Sequence, residues 1–321
     1  MLLSRRKVLV ATGLGLPLGA LALANCRTAP GTAASEVMLP GEAGRDAIRV
    51  VSAEATHDGA GVSLSRALGN RALDMLDPFL MLDEFQSDDP NDYLAGFPSH
   101  PHRGFETVTY MIDGAMEHQD SVGNRGRLGP GGAQWMTAGH GIVHSEMPKQ
   151  ERGLMWGFQL WVNLPRARKL IAPRYQDIAP TSIPEIDHEG AKVRVVAGSA
   201  FGAVGPVAGI DVEPVFLDVT LEERRSVRHA LPEGHTAFVY VTRGAVRVGP
   251  KRLEVRQGQL AVLGEGAFFG AEGERGGGRV LVFAGRPLRE PVARRGPFVM
   301  STQAELRQAF EDYRTGALTQ G

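Results

Sequence analysis

The chain has 321 residues, with 35 Lys+Arg against 36 Asp+Glu, 43% hydrophobic residues, 41 glycines and 20 prolines. So balanced a charge gives no electrostatic basis for nucleic-acid binding, which draws on a basic face. The length suits two ordinary domains, and the glycine and proline content suits a turn-rich all-β chain better than a helical one.

Residues 1–26 place Arg5, Arg6 and Lys7 ahead of an uncharged run from Val8 to Ala24. A basic start followed by a modest apolar run reads as an export signal. Ser4-Arg5-Arg6-Lys7-Val8-Leu9 resembles the twin-arginine motif, and Leu23-Ala24-Asn25-Cys26 resembles a lipobox. Cleavage there leaves Cys26 as a lipidated first residue, so a periplasmic or membrane-anchored lipoprotein of a bacterium is expected. Cys26 is the only cysteine, which excludes an intrachain disulfide and a thiolate metal site from the mature chain. Residues 27–47 are rich in small residues and proline and read as a flexible tether.

From residue 48 onward, short apolar or alternating runs are separated by Gly, Pro, Asn and Asp. Strands are predicted over 79–82, 107–112, 134–137, 155–162, 193–196, 215–219, 237–242, 260–263 and 280–284. Thr302 to Arg314 is the clearest helical stretch, with Thr302-Gln-Ala-Glu305 as a capping box. A weak internal repeat sets Thr109-Tyr-Met-Ile-Asp-Gly114 against Val239-Tyr-Val-Thr-Arg-Gly244. The reading is all-β: two consecutive β-barrels, 48–165 and 190–290, joined by a linker at 166–189. Residues 291–321 form a C-terminal segment with the short helix.

Two pairs of residues carry the chemistry. Side chains two apart on a strand share a face, so His100 and His102 project together, as do His144 and Glu146. Facing each other, the pairs make a four-point cage for one divalent metal such as Fe(II), Mn, Ni or Zn. No His-x-His precedes Val239 and no His follows Gly264 closely, so the second barrel is expected to be metal-free. Trp135, Trp156 and Trp161 read as core or pocket-wall residues, with Trp135 the candidate to border a cavity. His118 and Asp120 read as strand-edge residues, and His140 as a loop histidine.

His100-x-His102-x-x-x-Glu106 with Gly114, and Gly141-Ile-Val-His144, are similar to the two cupin motifs, so the double barrel looks like a bicupin. Longer stretches, LDPFLMLDEF (76–85), HPHRGFETVTY (100–110), QWMTAGHGIVHSEMP (134–148), FQLWVNL (158–164) and GRPLREPV…GPFVM (285–300), together resemble the pirin family. The resemblance implies one non-haem Fe(2+) held by His100, His102, His144 and Glu146, with Cu a further metal such a site accepts. Glu106 is then a neighbour able to orient an imidazole or take a proton. It also implies a monomeric dioxygenase similar to quercetin 2,3-dioxygenase. Its substrates are O2 and a small flavonol-like aromatic, and Glu146 or Glu106 is the general base. A different class, a non-catalytic metal-dependent redox sensor, is the alternative.

Overall fold

The computed structural model describes residues 43–320. The export signal, Cys26 and most of the expected tether lie outside the described residues. In chain order the strands of the first half are β1 (Ala47–Ser52), β2 (Glu54–Asp58), β3 (Val62–Leu68), β4 (Phe79–Ser87), β5 (Phe97–His102), β6 (Phe105–Asp113), β7 (Met116–Asp120), β8 (Arg125–Leu128), β9 (Ala133–Thr137), β10 (Ile142–Pro148), β11 (Met155–Asn163) and β12 (Arg174–Ile178). The second half holds β13 (Glu185–His188), β14 (Ala191–Ala197), β15 (Ser199–Ala200), β16 (Ala203–Val204), β17 (Val215–Leu221), β18 (Ser226–Ala230), β19 (Thr236–Val248), β20 (Leu253–Arg256), β21 (Gln259–Leu263), β22 (Phe268–Gly285), β23 (Ala293–Arg295), β24 (Phe298–Met300) and α1 (Gln303–Thr315). Every predicted strand is a strand, and the chain is an all-β bicupin with one C-terminal helix.

The first barrel closes from a seven-stranded sheet, β12-β9-β6-β11-β4-β3-β2, and a four-stranded one, β5-β10-β7-β8. The second is built on β1-β21-β19-β22-β17-β14-β13, with β18 added to β22 and β20 to β19. The repeat explains the difference in sheet count. Gly114, at φ +74°, ends β6 and turns the chain into β7. Its counterpart Gly244, at φ +66°, lets β19 bend without breaking. A Cβ at Gly244 would come within 2.3 Å of the Gly277 carbonyl oxygen.

Two boundaries differ from the sequence reading. Residues 48–52 were assigned to the first barrel, yet β1 pairs with β21 of the second, Val51 opposite Leu260. The expected linker supplies one edge strand to each barrel: β12 on β9, and β13 on β14. Edge strands are half exposed and short of apolar pattern, so which sheet they join is set by partner geometry that sequence does not show.

Alternation along the strands divides the core. Outward faces of the two barrels meet in one apolar layer containing Phe79, Trp135, Trp156, Phe216, Phe238 and Phe283. Phe79 meets Phe238 edge-on at 5.1 Å. Fully burying such a ring is worth roughly 2–3 kcal/mol. The interior of the second barrel is aliphatic, with Val193, Val219, Val239, Val246 and Val282 at its centre. The first barrel instead buries Thr109, His118, Gln134, His144 and Glu146, and this polar interior marks where the chemistry lies.

After β22 the chain returns to the first barrel. β24 runs beside the β5–β6 turn, with Val299 N–H donating to the Arg103 carbonyl at 3.0 Å. Lys169 pins this crossing: its buried ammonium donates to Gly104 O, Asn163 Oδ1 and Val299 O. Helix α1 starts as expected, Thr302 Oγ1 accepting from Glu305 N–H. The Glu305 carboxylate accepts from Ser301 N–H, and Arg103 pairs with Asp312 at 2.6 Å to hold the helix on the barrel.

Candidate metal centre

Strands β5 and β10 run antiparallel with His144 opposite His100 and Ile142 opposite His102. That register brings three imidazoles into one group whose candidate ligand atoms all lie within 4.8 Å of one another. Ring centroids are 4.7 Å apart for His100–His102, 4.4 Å for His100–His144 and 5.0 Å for His102–His144.

The hydrogen bonds around the rings fix which nitrogens point inward. His100 Nδ1 lies 2.8 Å from the Pro98 carbonyl, and His102 Nδ1 lies 3.4 Å from the Pro297 carbonyl. A carbonyl oxygen only accepts, so each Nδ1 carries the proton and each Nε2 presents a lone pair. Those two Nε2 atoms face each other at 3.0 Å. Two lone pairs at that distance call for a cation between or beside them. His144 is 2% exposed, and neither of its ring nitrogens has a hydrogen-bond partner. Buried polar atoms are nearly always satisfied, so this donor set fits a metal ion. Burial, then the neighbouring imidazoles, hold His102 and His144 well below the usual histidine range. They are therefore neutral, the form that coordinates.

The two carboxylates are placed differently. Glu146 follows His144 on the inward face of β10, beyond a register shift. It is buried, with Oε1 accepting from Thr109 Oγ1 at 2.9 Å and Oε2 from Gln159 Nε2 at 2.8 Å. It shares the inward face of β10 with His144 but is not part of the mutually close imidazole group. Glu106 lies on the opposite face of β6 from Thr109, in register with Thr137, whose hydroxyl donates to Oε1 at 2.7 Å. Burial pushes its carboxyl up to about 7, partly offset by Thr137, Trp135 and Arg174. The structure thus brings the three histidines together, leaves Glu146 outside that group on the same face of β10, and turns Glu106 to the other face of β6.

Other residues stand apart from the sequence reading. His118 and Asp120 are buried inside the barrel, in register with Glu146 and His144, not at an edge. Trp135 packs in the inter-barrel layer. Trp161 is the tryptophan beside the site, edge-on to His102 at 5.3 Å. His140 stays in its loop, its backbone N–H bonded to Ile171 O at 2.8 Å. Thr109, Gln159 and Pro297 were not singled out by sequence. Only the strand parity of Thr109 and Gln159 carried a signal.

A cavity of about 660 Å³ opens onto His100 and His102, with Gln159, Trp161, Arg66 and Asp83 in its walls. Small-molecule sites commonly span 300–1,000 Å³, roughly. Residues 294–297 of the returning segment complete the wall. In the second barrel the β18–β22 pair corresponds to β5–β10, and there Phe269 sits opposite His229 and Ala271 opposite Val227. An aromatic ring and aliphatic groups fill the space that the first barrel gives to ligands.

Among the described residues, fold and site together define a bicupin with one metal-type histidine group, set in its first barrel. The chain matches the Pirin family over residues 61–162 and the Pirin C-terminal cupin domain over residues 216–319. A Pseudomonas aeruginosa protein named "Putative quercetin 2,3-dioxygenase" is 48% identical over 280 residues, covering 85% of this chain and 98% of the relative. Human pirin is 41% identical over 261 residues, covering 80% and 88%. The crystal structure of a quercetin 2,3-dioxygenase from Acinetobacter baumannii superposes with TM-score 0.79 at 34% identity, covering 86% of this chain and 99% of that one. A bacterial pirin from Escherichia coli in complex with nickel(II) shares the fold at TM-score 0.58 and 20% identity, covering 76% and 97%. This chain belongs to the pirin family.

Proposed function

We propose that this pirin is an exported, iron-dependent dioxygenase that opens a flavonol-like aromatic with O2, releasing carbon monoxide and a depside. The observation that carries the reading is the buried, unpartnered His144 beside the two facing Nε2 atoms of His100 and His102, which line a cavity of about 660 Å³. The names of its relatives support the substrate class. His100, His102, His144 and Glu146 would hold the ion. Bound iron supplies Lewis acidity for a substrate hydroxyl and redox capacity toward O2.

The chain's own residues do the rest. The Pro98 and Pro297 carbonyls lock the tautomers of His100 and His102. Gln159 stands in the cavity wall and donates to Glu146 Oε2, and the Glu146 carboxylate is the base that takes the proton of the substrate hydroxyl. Trp161 gives an aromatic wall for the ring and keeps water off it.

The test is O2 uptake by the Fe(II)-loaded protein with quercetin, beside His144→Ala. Metal-dependent uptake with carbon monoxide release, lost in the variant, is expected. Iron bound at one per chain without uptake would refute turnover and favour a sensing role.

A further inference from the structure

The cavity floor has a register that the metal site does not use. Three adjacent strands, β11, β4 and β3, form it. Gln159 lies opposite Asp83 and Asp83 opposite Arg66, so the three polar side chains make one row across the strands. Two interstrand spacings put the ends of that row about 10 Å apart. Gln159 is at the metal end, bonded to Glu146. Arg66 and Asp83 are at the far end.

The flanking rows are apolar. Trp161 lies opposite Met81 on one side. On the other, Gly157 lies opposite Phe85, and the absent side chain at Gly157 makes room for that ring; a Cβ there would sit 2.5 Å from Phe85 Cζ. A flat aromatic molecule therefore finds an apolar bed with a polar stripe along its length.

The chemistry at the far end is specific. Arg66 Nε and Nη2 donate to the two oxygens of Asp83 at 2.8 and 2.7 Å, and Nη2 also reaches Asp58 at 3.0 Å. The charge of Arg66 is thus already met by two carboxylates, which disfavours an anionic group. Among the described residues its Nη1 has no partner, and Asp83, 4% exposed at its side chain, keeps acceptor capacity. The free Nη1 offers a donor at one edge of the pair and Asp83 an acceptor at another, so a neutral hydroxyl can be met there either as acceptor or as donor.

We propose that the Arg66–Asp83 pair is a specificity-determining element that receives a phenolic hydroxyl at the end of the substrate remote from the histidines. The proposal rests on the aromatic-substrate reading above and narrows it to aromatics hydroxylated at both ends.

The experiment is calorimetric binding, without O2, to the Ni(II)-loaded full chain. The ligands are 3-hydroxyflavone, 3,7-dihydroxyflavone and 3,4′-dihydroxyflavone. One of the dihydroxy compounds is expected to bind roughly tenfold more tightly than 3-hydroxyflavone. Arg66→Met with Asp83→Leu removes both partners together, which a fold tolerates better than leaving one buried charge. The double variant should bind all three ligands with the same affinity, which abolishes that preference. Should the double variant not fold, Asp83→Asn, which keeps the shape, should cut the preference to below about threefold. Equal affinities in the parent protein, or a preference that survives in the variants, would overturn the proposal. Failure of all three ligands to bind would instead remove the aromatic-substrate reading, and the proposal with it.

Discussion

Glu106 offers the sharpest separation between site and scaffold. Its carboxyl moves from 4.5 to about 7 on folding because burial dominates over the Thr137 hydroxyl and Arg174. The native state therefore binds this proton more tightly than the unfolded chain does. Below pH 4.5 the group is neutral in both states and contributes nothing. Between 4.5 and 7 the unfolded chain ionises first, so stability falls as pH rises, and above 7 the full penalty is in place. At 1.36 kcal/mol per pH unit the penalty is about 3 kcal/mol. Glu106→Gln keeps the acceptor for Thr137 and removes the ionisation. Urea unfolding of the metal-stripped proteins should give equal stabilities for parent and variant at pH 4.5. At pH 8 the variant should be more stable by about 3 kcal/mol, an upper figure for a group that can relax toward Arg174. Its metal stoichiometry should not change, because the side chain is on the other face of β6. Identical pH responses would refute the burial argument, and loss of metal would refute the face assignment.

Three more perturbations follow from the same geometry. Gln159→Leu takes away the donor to Glu146 Oε2, and chelator competition should show metal affinity lower by roughly 10- to 100-fold; unchanged affinity would mean Glu146 needs no such support. Tyr240→Phe leaves Oε2 of buried Glu84 without the 2.6 Å bond that crosses between the barrels, and should lower unfolding stability by about 1–3 kcal/mol with metal content intact. Changing Arg5 and Arg6 to Lys should hold the chain in the cytoplasm on fractionation, and an unchanged distribution would sink the twin-arginine route.

What sequence showed well was what alternates. His100 and His102 two apart, with His144 two before Glu146, define a shared face whatever the sheet does around them. The same rule applied to Glu106 needs one more fact. The Arg103–Gly104 turn between β5 and β6, with Gly104 at φ +84°, resets the parity between His102 and Glu106. No spacing in the sequence announces that reset. Pro297 was illegible for another reason. Its carbonyl orients His102 across 195 positions of sequence, and a backbone oxygen leaves no mark in residue identity. The pairing of β1 with β21 is illegible in turn because β1 is an edge strand whose weak pattern does not tell which barrel it joins.

The duplication also explains how a barrel can afford so polar an interior. A buried cluster such as His118, Asp120, Gln134 and Glu146 contributes little net stability and tolerates few defects. The second barrel carries no such load, and its centre is packed with valines where the first has ligands. Their shared layer transmits that rigidity through aromatic contacts and two buried hydrogen bonds, Tyr240 to Glu84 and Tyr110 to Asp218, each 2.6 Å and each joining the barrels. Arg279 and Arg194 extend the second of these: Arg279 pairs with Asp218, and Arg194 donates to the Tyr110 hydroxyl. The returning segment then ties the second barrel's last strand to the mouth of the first, through Pro297 on His102 and Lys169 on Val299. A loss of packing in the aliphatic barrel should therefore reach the histidine cluster by that segment, which makes the aliphatic copy part of the centre's geometry.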